Sequence, residues 1–181
     1  MPEPTALVII TNGVEELEAI APVDILRRAG VRTTVASSSS TPEVEGRNGI
    51  KLVADQLLQT CLSESYDLVV VPGGPGHTSM LEDERVLDIL RAQDKAGRFI
   101  GSICAGPVVL KKAGVLEGRA YTSFPATADI LPDRNDTRKV VRDGNVITSQ
   151  GAGTATDFAI ALVEALCGEA TAREIAASIC A

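Results

Sequence analysis

Short runs of branched apolar residues alternate with stretches of helical spacing along nearly the whole chain, and that alternation leaves few folds open. Ala6-Leu7-Val8-Ile9-Ile10 has no polar interruption, the mark of a strand buried on both faces. Over 15–29, Leu17, Ile20, Ala21, Ile25 and Leu26 recur at three and four, and Gly30 stands where a helix commonly ends. Residues 31–36 predict a second strand, 50–53 a weak one and 54–62 a short helix. A buried strand follows over 66–71 and ends at Pro72-Gly73-Gly74-Pro75-Gly76. The pattern then predicts a helix over 79–96, a strand over 99–103, a helix over 107–113, a short strand over 120–123 and a helical turn over 127–131. Residues 139–142 and 146–149 form a hairpin about Asp143-Gly144, and helices over 154–166 and 169–179 close the chain. Strand followed by helix, repeated, predicts an α/β fold with a mostly parallel sheet and helices on both faces. No second boundary appears, so residues 1–181 read as one domain.

Composition excludes several classes of function. The net charge is −7 and Lys and Arg do not cluster, which leaves no electrostatic footprint for nucleic acid or an anionic membrane. No apolar run approaches the roughly 18 residues of a membrane span. Met1-Pro2-Glu3-Pro4 lacks the basic start of a secretory leader. Cys61, Cys104, Cys167 and Cys180 have no C-x-x-C spacing, so reduced thiols and a cytoplasmic location are expected. His77 is the only histidine, which excludes a multi-histidine metal site; no metal or cofactor is expected.

In parallel sheets ligands bind at the carboxyl ends of strands, and three of those ends carry unusual residues. After the first strand comes Thr11-Asn12-Gly13-Val14-Glu15-Glu16-Leu17-Glu18. Glu15 and Glu16 are expected to be exposed carboxylates favoured by the helix macrodipole, whereas Glu18 can point back at the strand ends. The glycine turn at 72–76 reads either as a tight connection or as a nest of uncovered amides for an oxyanion. It lacks the Lys-Ser/Thr of a phosphate loop. Cys104 directly follows a strand and begins a helix, the layout of a nucleophile elbow, with small neighbours Ser102, Ala105 and Gly106. A helix N-terminus predicts a lowered thiol pKa there. Cys61 and Cys167 read as packing residues, and Cys180 as a terminal thiol.

The segments GVEELEAIAPVDILRRAG, DLVVVPGGPG, IGSICAGP and TSQGAGTATDFAIALVEAL resemble successive signatures of the DJ-1/PfpI (ThiJ) superfamily, specifically its DJ-1-like branch, in order from Ala6 to about Gly168. The resemblance implies a flavodoxin-like three-layer sandwich that forms a homodimer. It maps the reactive cysteine onto Cys104, its protonated partner onto Glu18, and the oxyanion-side glycines onto Gly73 and Gly74 with the Ala105 amide. Arg28 and Arg47 resemble basic residues that line the pocket entrance, with a place at the dimer contact or on the surface as the alternative.

The match fails at one position. Relatives place a histidine before the proline of Thr122-Ser123-Phe124-Pro125, and Phe124 can neither donate nor accept a proton. A Cys-Glu dyad remains, with His77, in the loop after the glycine turn, the one histidine placed to reach the pocket rim. The chain closes at ASICA, shorter than the final helix of some relatives, which implies a more open pocket or dimer edge. The implied activity is that of a cofactor-independent glyoxalase or deglycase. Its substrates would be methylglyoxal, glyoxal or early glycation adducts, in defence against carbonyl and oxidative stress. The alternative is a redox sensor whose Cys104 is oxidised to a sulfinate. Distant relatives that act as peptidases or amidotransferases carry a histidine directly after the nucleophile, where this chain has Ala105.

Overall fold

A computed structural model describes residues 3–181; Met1 and Pro2, half of the stretch read above as lacking a basic leader, lie outside the described residues. The elements run β1 (Thr5–Ile10), α1 (Glu16–Arg28), β2 (Arg32–Ser37), β3 (Glu43–Glu45), β4 (Lys51–Val53), β5 (Gln56–Leu57), β6 (Leu68–Val71), α2 (His77–Met80), α3 (Glu84–Lys95), β7 (Phe99–Ile103), α4 (Gly106–Lys112), β8 (Val140–Asp143), β9 (Val146–Ser149), α5 (Ala155–Cys167) and α6 (Glu169–Ser178). Seven strands form one sheet in the order β5-β2-β1-β6-β7-β9-β8. Only the β8 pairing is antiparallel in that sheet. Strands β3 and β4 form a separate hairpin.

Strand periodicity sorts the core into two layers. Ala6, Val8 and Ile10 point to one face, where they join Leu26 of α1 and Phe158 and Leu162 of α5. Leu7 and Ile9 point to the other, against Met80, Leu87, Leu90 and Val109 of α2, α3 and α4. Helix α5 lies so close to β7 that a Cβ on Gly101 would stand 2.8 Å from Leu162. The order of strands reverses between β1 and β6, so the loops leaving those two strands diverge and open a crevice at their carboxyl ends. No helix among the described residues is long and apolar enough to cross a membrane.

Three local expectations need correction and a fourth holds. The helix over 79–96 is two helices, because Asp83 is extended and its carboxylate caps α3 by accepting the Arg85 N–H at 3.1 Å. Residues 54–62 form β5 and a single 3-10 turn at Leu58–Thr60. The strand over 120–123 is absent: Ala120 N–H donates to Asp143 Oδ2 at 2.8 Å and Thr122 N–H to Thr148 Oγ1 at 2.9 Å, so the segment meets side chains of β8 and β9 as a loop without joining the sheet. The turn expected over 127–131 is present, with Leu131 N–H donating to Thr127 O at 2.8 Å, and a 3-10 turn at Pro125–Thr127 leads into it.

Candidate active site

The ends of β1, β6, β7 and β9 converge on one point. Strand β7 ends at Ile103, and Cys104 turns the chain toward α4 with φ of +63°, a left-handed conformation that costs a side-chain-bearing residue roughly 1–2 kcal/mol. Two backbone bonds hold it: its N–H donates to Ser149 O at 3.0 Å, and its carbonyl accepts from Phe124 N–H at 2.8 Å. Behind it Gly106 leaves room for the crossing strand end, since a Cβ there would lie 2.5 Å from the Val71 carbonyl oxygen. This is the elbow geometry the sequence predicts.

Glu18 enters from the first turn of α1 and has no exposed surface. Its own N–H donates to Glu15 Oε2 at 3.0 Å, and its Oε2 accepts from Gly73 N–H at 3.0 Å. Its other oxygen, Oε1, is buried without a hydrogen-bond partner. Gly73 is the point of contact: a Cβ on it would lie 2.7 Å from Cys104 Cβ, 2.7 Å from Glu18 Oε2 and 2.8 Å from Ala105 N. Gly74, at φ +88°, packs against Glu15 N and Gly13 O, so the glycine turn and the acidic turn interlock.

The electrostatics follow from this enclosure. Burial above all pushes the Glu18 carboxyl up to about 7; the Glu15 carboxylate adds to the rise, while Cys104, the Gly73 amide and the Arg47 charge oppose it. Burial also pushes the Cys104 thiol up to about 12, reinforced by the Glu18 charge and hydrogen bond and opposed by the amides of Gly74 and Ala105. The expected lowering of the thiol is therefore overturned. Cys104 is 7 % exposed, α4 is short, and the neighbour is an acid rather than a base. The amides also divide differently from the expectation, because that of Gly73 is committed to Glu18 while those of Gly74 and Ala105 reach the sulfur.

Glu15 and Glu16 are not the exposed carboxylates the sequence suggests; both are buried. Glu16 accepts Asn48 N–H at 2.8 Å and Asn48 Nδ2–H at 2.9 Å. Burial resists its ionisation, but its own amide and the donors of Asn48 and Ile50 hold it below the usual carboxylate range. That anchor pins the β3–β4 turn to α1. There Arg47 N–H donates to Val14 O at 2.8 Å and the guanidinium charge acts on Glu18. Arg28 is not brought to the site: it is exposed at the far end of α1, about 15 Å along the axis from Glu18, and pairs with Asp24 at 2.8 Å. His77 is half-buried with Nδ1 2.9 Å from the Gly74 carbonyl oxygen, so it braces the glycine turn. No hydrogen bond among the described residues ties it to Cys104 or Glu18.

Phe124 borders the pair. Its ring lies beside Gly151, where a Cβ would stand 3.4 Å from Phe124 Cδ2 and 3.9 Å from Glu18 Oε1. Gly151 carries no assignment in the sequence reading; the glycine loop following β9, in TSQGAG, was the available signal. Cys61 is buried in the core, Cys167 is partly buried and Cys180 exposed, all free. Among the described residues no cluster of His, Cys, Asp and Glu is suited to a metal ion. The arrangement is a nearly enclosed thiol, an acid that titrates near neutrality and two amides, a set able to act on a small electrophile.

Comparison with known proteins agrees with this fold. The DJ-1/PfpI family model matches residues 4–165. Protein dj-1beta of Drosophila melanogaster is 41 % identical over 176 residues, covering 95 % of this chain and 94 % of that protein. Its crystal structure superposes with a TM-score of 0.95 at 40 % identity over 98 % of both chains. The glutathione-independent glyoxalase DJR-1.2 of Caenorhabditis elegans is 33 % identical over 181 residues, covering 97 % of this chain and 96 % of that protein. A family model matched from residue 4 to 165, with relatives of this identity aligned over almost their whole length, shows that the chain belongs to the DJ-1/PfpI family, in its DJ-1-like branch.

Proposed function

We propose that the protein is a cysteine-dependent, glutathione-independent glyoxalase acting on methylglyoxal or glyoxal, with early glycation adducts as a second substrate class for the same thiol. The observation that carries this reading is the unexposed Glu18 carboxyl, raised to about 7 beside Cys104 and left with one unpartnered oxygen. An acid–base group is most effective when its pKa lies near the working pH. The name of the Caenorhabditis elegans relative supports the reaction class.

In this mechanism the sulfur of Cys104 bonds to the aldehyde carbon, and the carbonyl electron pair takes up a proton to give a hemithioacetal. The amides of Gly74 and Ala105 stabilise the developing oxyanion. Glu18 removes the proton from that carbon and returns one to the neighbouring carbon, while the hydroxyl proton passes to the former ketone oxygen, leaving the thioester of a 2-hydroxy acid. Water then cleaves the C–S bond, giving lactate from methylglyoxal and restoring the thiol. One carbon is oxidised and its neighbour reduced, so no external oxidant or reductant enters. Phe124 has no proton to move, so Glu18 serves both directions. The reading assigns the protein to the cytoplasm, where its thiols stay reduced.

Counting lactate by NMR in thiol-free buffer tests this. Many equivalents per chain are expected from the wild type and none from Cys104→Ser. Lactate that stops at one equivalent, or persists without Cys104, would sink the enzyme reading. Failure at one equivalent would leave Cys104 as an oxidation-sensing thiol.

The reading includes a homodimer. Leu17 and Ile20 of α1 are 61 % and 47 % exposed, and Ile50 and Val53 of the adjoining hairpin 56 % and 73 %. Contiguous exposed apolar side chains of this size mark an association surface. Sedimentation at micromolar concentration is expected to give a dimer for the wild type and a monomer for Leu17→Glu/Val53→Glu. A monomeric wild type would refute the assignment.

A further inference from the structure

We infer that Phe124 makes the site selective for 2-oxoaldehydes whose ketone carbon carries an aromatic or extended apolar substituent; this rests on the reaction proposed above. Phe124 is the one exposed aromatic side chain among the described residues, at 43 %, in a chain whose Phe158, Tyr66 and Tyr121 are buried. The exposed ring stands beside a nearly enclosed thiol, where a bound apolar group would take its surface out of water.

The backbone that carries the ring is held on both sides. Phe124 N–H donates to the carbonyl of Cys104 itself at 2.8 Å, and Phe124 O accepts from Thr127 Oγ1 at 2.7 Å and Thr127 N–H at 3.0 Å. Pro125 further restricts the backbone before it, which sits at φ −61° and ψ 137°. The point from which the ring springs is therefore tied to the nucleophile. The gap beside it is kept open by Gly151, since one point above that residue is 3.4 Å from the ring and 3.9 Å from the unpartnered Glu18 Oε1.

These distances decide where a substrate substituent goes. With the aldehyde carbon on the sulfur, Glu18 must reach both reacting carbons. The group on the ketone carbon therefore leaves from the neighbourhood of Oε1 and meets the Phe124 ring. A hydrogen, as in glyoxal, leaves the ring wet. A phenyl group covers it, in the offset or edge-on arrangements that aromatic pairs favour. For such a substrate the overall change is phenylglyoxal plus water to mandelate and a proton, with the same internal transfer of one electron pair between adjacent carbons.

The test separates this inference from the reaction it rests on. The rates of Cys104 alkylation by iodoacetamide and by N-benzyl iodoacetamide are measured by peptide mass spectrometry and divided by the corresponding rates for glutathione. In the wild type the benzyl preference is expected to exceed that of glutathione by roughly tenfold, the scale of one added aromatic contact. Phe124→Ala should bring it down to the glutathione value, and Gly151→Ala, which fills the gap without a clash, should lower it too. An unchanged preference in Phe124→Ala, or an equal loss for both reagents, overturns the inference. In the second arm, kcat/KM for phenylglyoxal over glyoxal should fall in Phe124→Ala by a similar factor. Absence of turnover on both aldehydes would refute the proposed reaction, while the alkylation ratio would still decide the role of Phe124.

Discussion

Gly73→Ala is expected to lose about a hundredfold in kcat/KM for methylglyoxal, the cost of misplacing reacting groups by about 1 Å. The added methyl has nowhere to go, being 2.7 Å from Cys104 Cβ, 2.7 Å from Glu18 Oε2 and 2.8 Å from Ala105 N. Two of these neighbours are fixed by the elbow, whose backbone is held by Ser149 and Phe124. The Glu18 carboxylate is the softest of the three, so it moves, breaks its bond to the Gly73 amide and withdraws from the sulfur. Overpacking of this kind costs about 1–3 kcal/mol, and a chain of this length should melt roughly 3–10 °C lower. Thermal melting with methylglyoxal kinetics checks both. Wild-type turnover in Gly73→Ala would mean that the thiol and the carboxyl do not act together.

The same geometry shows which parts of the site could be read from the sequence. Strands β1 and β6 are legible as uninterrupted apolar runs and β7 by Phe99, Ile100 and Ile103 around small Gly101 and Ser102, and the residues that matter most lie just past their ends: Gly73 and Gly74 after β6, Cys104 after β7. Glu18 is legible because helical spacing alone turns it back toward the strand ends. Glu15 and Glu16 are not, because their burial depends on partners distant in sequence. The β3–β4 hairpin closes over α1 through Asn48, 32 residues from Glu16, and nothing local in EELE announces that cover. The break between α2 and α3 is hidden for a related reason. Apolar spacing continues from Leu81 to Leu90 while Asp83 interrupts the helix as a cap. At 120–123 a strand-like composition finds no strand partner, since the edge beside β9 is taken by β8. The thiol pKa fails for the reverse cause: helix position was legible, whereas the burial that outweighs it is a property of the assembled site.

Glu18→Gln should gain stability on the wild type as the pH is raised, by about 3 kcal/mol in total, because 1.36 kcal/mol attaches to each unit of a pKa difference. The carboxyl has an ordinary value of 4.5 and about 7 in the folded protein. Below 4.5 it is protonated in both states and its favourable contribution is fully present. As the pH climbs from 4.5 through about 7, the unfolded chain releases the proton more readily than the folded one, and that contribution is lost. Glutamine fills nearly the same volume and has no such proton, so the difference in melting temperature between variant and wild type should open across this window and then level off. Glu16 does not confuse the comparison: its pKa is lowered, so its contribution is lost as the pH falls, and it is the same in both proteins. The Cys104 thiol, pushed up to about 12, titrates beyond the window. Chemistry should follow the same midpoint. The pair gives up its first proton near 7, and the singly charged pair is the state in which a proton on Glu18 can accompany a nucleophilic sulfur. Alkylation of Cys104 is accordingly expected to rise through pH 7 in the wild type, whereas in Glu18→Gln only a desolvated thiol remains and the midpoint moves well above 7. A melting difference that stays flat from pH 4.5 to 8, with alkylation midpoints that coincide, would mean that Glu18 ionises like a solvated carboxylate, and the acid–base role assigned to it would fall.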